Sequence, residues 1–203
     1  MPRTGHHQEA PRERLLSAAD ELFYDQGICS VGVDLILKRA DVARASLYST
    51  YGSKDELVRA YLRRRSESWQ ASVRDTLPVQ WETPRDRIVG VFALLTEWFA
   101  APGYRGCPFI NASAETTADA AVEEVRDGHR AWVRELFRGL AAEAGARDPD
   151  ALADQLVLLY DGSMVGAQLD RSAAPGAAAQ AAAGVLVDRS VARPARSRAK
   201  PST

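Results

Sequence analysis

The sequence predicts an all-α protein of about nine helices, an N-terminal three-helix helix-turn-helix domain followed by a larger helical domain. Three observations carry that expectation. Apolar residues recur at helical spacing through most of the 203 residues, and no stretch alternates as a half-buried strand would. Prolines and glycines fall where helices start and stop. Between residues 34 and 51 a short helix, a tight turn and a second short helix follow one another.

Taken in order, Pro11–Gln26 carries Leu15, Ala19, Leu22 and Phe23 on one face and stops at Gly27. Asp34 is placed to cap a short helix to Ala40 that turns Ile36 and Ala40 inward. Asp41–Ala43 makes the turn and Arg44–Tyr51 the next helix. Ser53-Lys-Asp-Glu56 has the capping-box pattern, in which a hydroxyl and a carboxylate serve the orphan N–H groups of a helix start. The amphipathic run behind it extends to about Val73. Thr83-Pro84 opens a helix with Ile88, Val91, Phe92, Leu95 and Phe99, and Pro102, Gly103, Gly106 and Pro108 then enforce a loop. Ala120–Ala144 reads as a long helix ended by Gly145, and Asp148-Pro149 starts another that runs to about Asp170. The alanine-rich stretch Ser172–Val187, interrupted by Pro175 and Gly176, reads either as low complexity or as a last helix suited to close packing.

Composition narrows the function classes. The longest apolar stretches, such as Ile88–Leu95, fall far short of the about 20 residues that span a bilayer. Met1–Glu13 has no apolar core of the kind a secretory signal carries, so a cytoplasmic location and no membrane partner are expected. Cys29 and Cys107 are far apart and not in a metal-ligand spacing; the plain reading is two reduced, buried residues, the sharper one a redox pair. No Gly-rich phosphate loop, Gly-x-Ser-x-Gly elbow, HExxH or Glu-x-x-His box is present. No enzyme, cofactor or metal site is therefore expected. The net charge of −1 is unevenly spread: Leu35–Arg65 holds eight Lys/Arg against three acids, and residues 189–203 hold five basic side chains and no acid. A basic island in an otherwise acidic chain points to a polyanionic partner.

That island contains the helix-turn-helix. With Ile36, Ala40, Val42 and Leu47 turned into a small core, Arg44, Ser46, Tyr48, Ser49 and Thr50 are left on the outer faces. An arginine fork suits guanine or phosphate, and hydroxyls suit phosphates or base edges in a major groove. Lys54, in the first turn of the following helix, is placed for a neighbouring phosphate.

Leu22-Phe23, Gly27, Val33-Asp34, Ile36, Val42, Leu47-Tyr48, Tyr51, Lys54 and Leu57 stand in the order and spacing of the tetracycline-repressor (TetR) family's DNA-binding domain, which residues 11–60 resemble. The resemblance implies a homodimer that binds a double-stranded DNA operator through its N-terminal helices and a small-molecule inducer in the larger domain. The domains expected are a flexible arm over residues 1–10, a DNA-binding domain over 11–53, a ligand-binding and dimerisation domain over 54–190, and, from its prolines, serines and basic residues, a disordered basic tail over 191–203. Tyr48 in this family both packs and touches phosphate; Tyr51 is read as core and Arg63–Arg65 as a solvated face. Four positions depart from the family pattern. Asp41 replaces the usual turn glycine, so either a left-handed aspartate holds the turn or the turn is altered. Ala43 replaces a serine cap, Ala45 a common glycine and Thr50 a common histidine.

On the same plan the ligand pocket lies among the helices beginning near Asp55, Pro84, Ala120 and Pro149. Its candidate lining residues are Trp69, Phe92, Phe99, Phe109, Trp132, Tyr160 and Met164, with Asn111, His129, Asp161 and Gln168 as polar candidates. Gly106–Glu115 resembles a segment of some family members and shapes the pocket entrance or a helix break. Gly162, Gly166, Ala167 and Ala177–Ala179 permit a close four-helix dimer contact. The implied function is a repressor released from a palindromic operator by ligand. The alternatives are a protein-binding adaptor of the same fold and an enzyme on a helical scaffold.

Overall fold

The computed structural model describes residues 10–116 and 120–191, without the side chains of 120 and 121. Of the expected arm and tail only Ala10 and Val191 fall within it; the rest lies outside the described residues. The described residues form nine helices: α1 (Pro11–Gln26), α2 (Val33–Ala40), α3 (Arg44–Tyr51), α4 (Lys54–Gln80), α5 (Pro84–Ala100), α6 (Pro108–Glu115), α7 (Ala120–Glu143), α8 (Pro149–Asp170) and α9 (Ala174–Ser190).

Local chemistry explains most of the boundaries. Ser53, Thr83 and Asp148 each accept a hydrogen bond from the backbone N–H three residues on, as N-caps worth about 1 kcal/mol apiece do. Pro11, Pro84, Pro108 and Pro149 occupy first helical positions, where their missing N–H costs nothing. Two expectations need correction. Asp34 does not cap α2; the helix starts one residue earlier from Gly32, and Asp34 pairs instead with Arg44 across the turn. Helix α4 does not end near Val73 but runs to Gln80, past Pro78. Burial of Val73 and Leu77 holds this extra length, and a proline so near the end removes only one helical bond.

Helices α1–α3 and the start of α4 close one apolar cluster around Leu15, Phe23, Ile36, Leu47 and Leu57. Val42 is only half-buried at its edge. The larger body packs α4, α5, α7, α8 and α9 together, with Phe92 stacked on Phe137. Gly90 lets Trp81 close the α4–α5 corner, since a Cβ there would stand 2.5 Å from the indole. Arg147 donates to the carbonyls of Arg189 and Ser190, pinning the end of α9 to the α7–α8 loop. None of the helices described is long and apolar enough to cross a membrane.

Candidate functional site

The helix-turn-helix is held by its turn. Asp41 takes φ 53°, ψ 54°, so an aspartate stands in the left-handed conformation that glycine adopts without strain. Arg14 donates to the Asp41 carbonyl at 3.1 Å and ties the turn to α1. Ala43 begins α3 with no side-chain cap, and Asp41 does not supply one.

Leu47 and Tyr51 face the core, and the Tyr51 hydroxyl donates to the Arg12 carbonyl at 3.0 Å. Arg44, Ala45, Tyr48 and Ser49 lie on the opposite, exposed face, with Tyr48 47% exposed. Ser46 and Thr50 sit half-buried at its flanks, and Ser49 donates to the Ser46 carbonyl. Lys54 turns the other way: its ammonium donates to the Ile28 carbonyl at 2.7 Å and lies 5.8 Å from the Phe23 ring centre. The basic island is also less bare than its sequence. Arg39 pairs with Glu21, Arg44 with Asp34, Arg59 and Arg63 with Glu124, Arg64 with Glu13 and Arg65 with Asp20. Lys38, exposed and without such a partner among the described residues, is a cation that core-pattern reasoning passed over.

The second feature is a cavity of about 350 Å³ between α4, α5, the start of α6, α7 and α8. Trp69, Trp98, Phe109, His129, Tyr160 and Met164 form its walls, with Arg65 and Glu97 also lining it. A second cavity of about 250 Å³ adjoins it across Cys107, Phe109, His129, Tyr160 and Met164, and is lined further by Asp161. Six candidates from the sequence therefore meet here: Trp69, Phe109, His129, Tyr160, Met164 and Asp161. Phe92 and Phe99 are packed into the core instead, Phe99 against Trp98 and Tyr104. Trp132 is half-buried with its ring 6.3 Å from His129, outside the lining. Asn111 and Gln168 bond to each other at 3.4 Å near the 101–107 loop, and Asn111 donates to the Arg105 carbonyl. Trp98, Arg65 and Glu97 are among the lining residues the sequence did not mark, because neither helix period nor charge distinguishes them from core or surface.

Inside the cavity the His129 Nδ1 lies 2.9 Å from Ser66 Oγ, and its ring stacks on Phe109 at 4.1 Å. Burial lowers the His129 pKa to about 4, so the ring is neutral near pH 7. Cys107 is buried at the cavity wall and its thiol is pushed up to about 11 by burial, which keeps it protonated. Cys29 is exposed, contrary to the expectation of two buried thiols. No group of three His, Cys, Asp or Glu among the described residues is placed to hold a metal ion.

Cavity and helix-turn-helix are bolted together. Arg65 is not on a solvated face: its guanidinium forks onto Asp20 of α1 at 2.7 and 2.9 Å and stacks 4.2 Å from the Tyr24 ring centre. Burial holds the Asp20 carboxyl above its ordinary range even beside that arginine. Arg64 bonds Glu13, two turns before Asp20 on α1. The 101–116 segment makes a second clasp. Tyr24 donates to the Gly106 carbonyl and accepts from Arg105 N, while Arg105 pairs with Asp25 at 2.6 Å. The Glu115 carboxylate accepts from Cys29 N at 2.9 Å and lies over Gly27, whose φ of 88° and missing Cβ admit it.

Residues 15–61 match the family described as bacterial regulatory proteins, tetR family. The transcriptional regulator AcuR of Cereibacter sphaeroides is 30% identical over 188 residues, 83% of this chain and 84% of its own. The HTH-type transcriptional repressor NemR of Escherichia coli is 28% identical over 111 residues, 54% of this chain, a match that spans only about half (56%) of the NemR length. Among solved structures, SCO4454, a TetR-family transcriptional regulator from Streptomyces coelicolor, superposes with a TM-score of 0.82 at 30% identity, covering 90% of this chain and 96% of its own.

Proposed function

The chain belongs to the tetR family of bacterial regulatory proteins, DNA-binding transcriptional regulators, and on that premise we propose a cytoplasmic, dimeric repressor released from its operator when a small molecule enters the α4–α8 cavity. Its relatives are regulators and not enzymes. The observation that carries the reading is the exposed Arg44, Tyr48 and Ser49 face of α3, set on a helix-turn-helix whose core is closed behind it. A dimer presents two such helices to successive major grooves, roughly 34 Å apart on a pseudo-palindrome. Arg44 leaves Asp34 for a phosphate or guanine, exchanging one exposed ion pair for another; Lys54 supports the groove-facing helix by holding the start of α4.

Dimerisation falls to α8 and α9. Leu158, Val165 and Leu169 form an exposed stripe on α8, spaced with Gly162 along one face, and Val185 is exposed on α9. Gly166, Ala167 and Ala179 support packing within the chain instead, Gly166 lying against Pro175. Release follows from the two clasps. A ligand that moves α4 or Phe109 strains Arg65–Asp20 and Glu115–Cys29, and so shifts α1–α3 relative to the body.

The test is a salt-dependent mobility shift on DNA upstream of the chain's own gene. Arg44→Ala is expected to weaken binding about tenfold, the loss of one good contact, with helicity and dimer mass unchanged. Binding equal to the parent protein rules out α3 as the reading helix.

A further inference from the structure

We propose that the cavity selects an uncharged, planar aromatic molecule bearing a hydrogen-bond-accepting oxygen, and that His129 Nε2–H is the donor that reads this oxygen. The inference rests on the reading of the cavity as the ligand site.

The donor follows from a chain of hydrogen bonds. Gln70 Nε2 donates to Ser66 Oγ at 3.0 Å, and the one other partner of that hydroxyl among the described residues is His129 Nδ1 at 2.9 Å. The serine proton therefore points at Nδ1, which accepts it, and the neutral ring carries its own proton on Nε2. Nε2 has no partner among the described residues, in a ring that borders both cavities and is fixed by its stack on Phe109. The Trp69 indole N–H stands in the same wall, directed at the Tyr160 hydroxyl. An interior donor left without an acceptor among the described residues, as His129 Nε2 is, favours a ligand that supplies one.

Charge and shape set the rest of the class. Every cation that lines either cavity is already committed: Arg65 to Asp20, Arg126 to Asp127, Arg130 to Asp161. Glu97 adds negative charge to the larger cavity's lining. A carboxylate ligand thus meets no unpaired cation, whereas a carbonyl meets a neutral donor. Trp69 lies 6.1 Å from Trp98 and 6.4 Å from Tyr160, ring centre to ring centre, and these rings with Phe109 offer flat apolar walls in a space suited to a two-ring molecule.

The full-length protein is titrated with 1-acetylnaphthalene, 1-ethylnaphthalene and 1-naphthoate, read by tryptophan fluorescence and calorimetry. The acetyl compound is expected to bind ~10-fold tighter than the ethyl compound, the net worth of one neutral hydrogen bond, with naphthoate weakest. His129→Phe keeps the stack but removes the donor and is expected to abolish that preference. Ser66→Ala, which releases the tautomer, is expected to reduce it; this variant decides the matter if His129→Phe does not fold. Equal binding of the acetyl and ethyl compounds overturns the donor assignment and leaves the ligand site standing. Tightest binding by naphthoate overturns the uncharged class. Binding by none of the three overturns the cavity as a ligand site altogether, while the operator assay above still judges DNA binding on its own.

Discussion

Asp41 and Ala43 show what single residues cost this turn. A left-handed backbone at an L-residue is strained, and an alanine at an N-cap leaves a helix start unserved. Ala43→Ser is expected to raise stability by about 1 kcal/mol, and Asp41→Gly by roughly half that once the entropy of glycine is set against the relief of strain. Urea midpoints at fixed m-value check both. His129 gives a pH dependence of definite sign. Its folded pKa of about 4 lies below the ordinary 6.5, so between those values the unfolded chain binds the extra proton and folding weakens as pH falls. The loss from pH 7 to pH 4 is on the order of 3 kcal/mol, and a His129→Phe variant is expected to lack that part of the acid slope in urea titrations. Arg44 and Tyr48 were legible as outward residues because the spacing of Ile36, Ala40 and Leu47 fixes which face is inside. The inward bond of Lys54 was not, since its acceptor is a main-chain carbonyl in a distant loop.

Among the elements, legibility followed local chemistry. The Ser53, Thr83 and Asp148 caps, with Pro84 and Pro149 behind the last two, place α4, α5 and α8, because a cap is a contact over three residues and is written in the sequence. The reach of α4 past Pro78 and the partner of Asp34 depend on residues that only the fold brings near. So does the latch between α4 and α1. Arg63, Arg64 and Arg65 read alike in sequence, yet Arg65 forks onto Asp20 while Arg63 meets Glu124 on the surface. Asp20→Asn keeps the shape of that latch and removes its charge. It is expected to leave binding of the cavity probe unchanged and to cut the ligand's effect on operator affinity several-fold, within the about 5–150-fold that couplings between sites span. Operator titrations with and without 1-acetylnaphthalene measure it.

Over the whole molecule, charge and apolar surface exchange the roles the sequence implied. The basic island is largely neutralised by acids of α1, α2 and α7, so in the repressor we propose the attraction to DNA rests on pairs that can open, together with Lys38, rather than on a bare field. The α8 stripe is the opposite case: Leu158 and Leu169 are 69% and 76% exposed, where a lone chain gains nothing from them. Leu158→Glu with Leu169→Glu is expected to yield a folded monomer by light scattering. Operator affinity then falls by about 100-fold or more, because one half-site no longer brings the other into reach. The clasp of Glu115 on Gly27 and Cys29 has a last consequence for how such a protein senses. One stretch of chain closes the cavity and grips the head, so in the ligand-released repressor we propose the two occupancies obey reciprocity: the factor a ligand takes from DNA affinity, DNA takes from ligand affinity. A molecule seated on its operator is then a duller detector than one free in solution. The free pool meets the signal first, and the size of that pool sets the dose at which the gene answers.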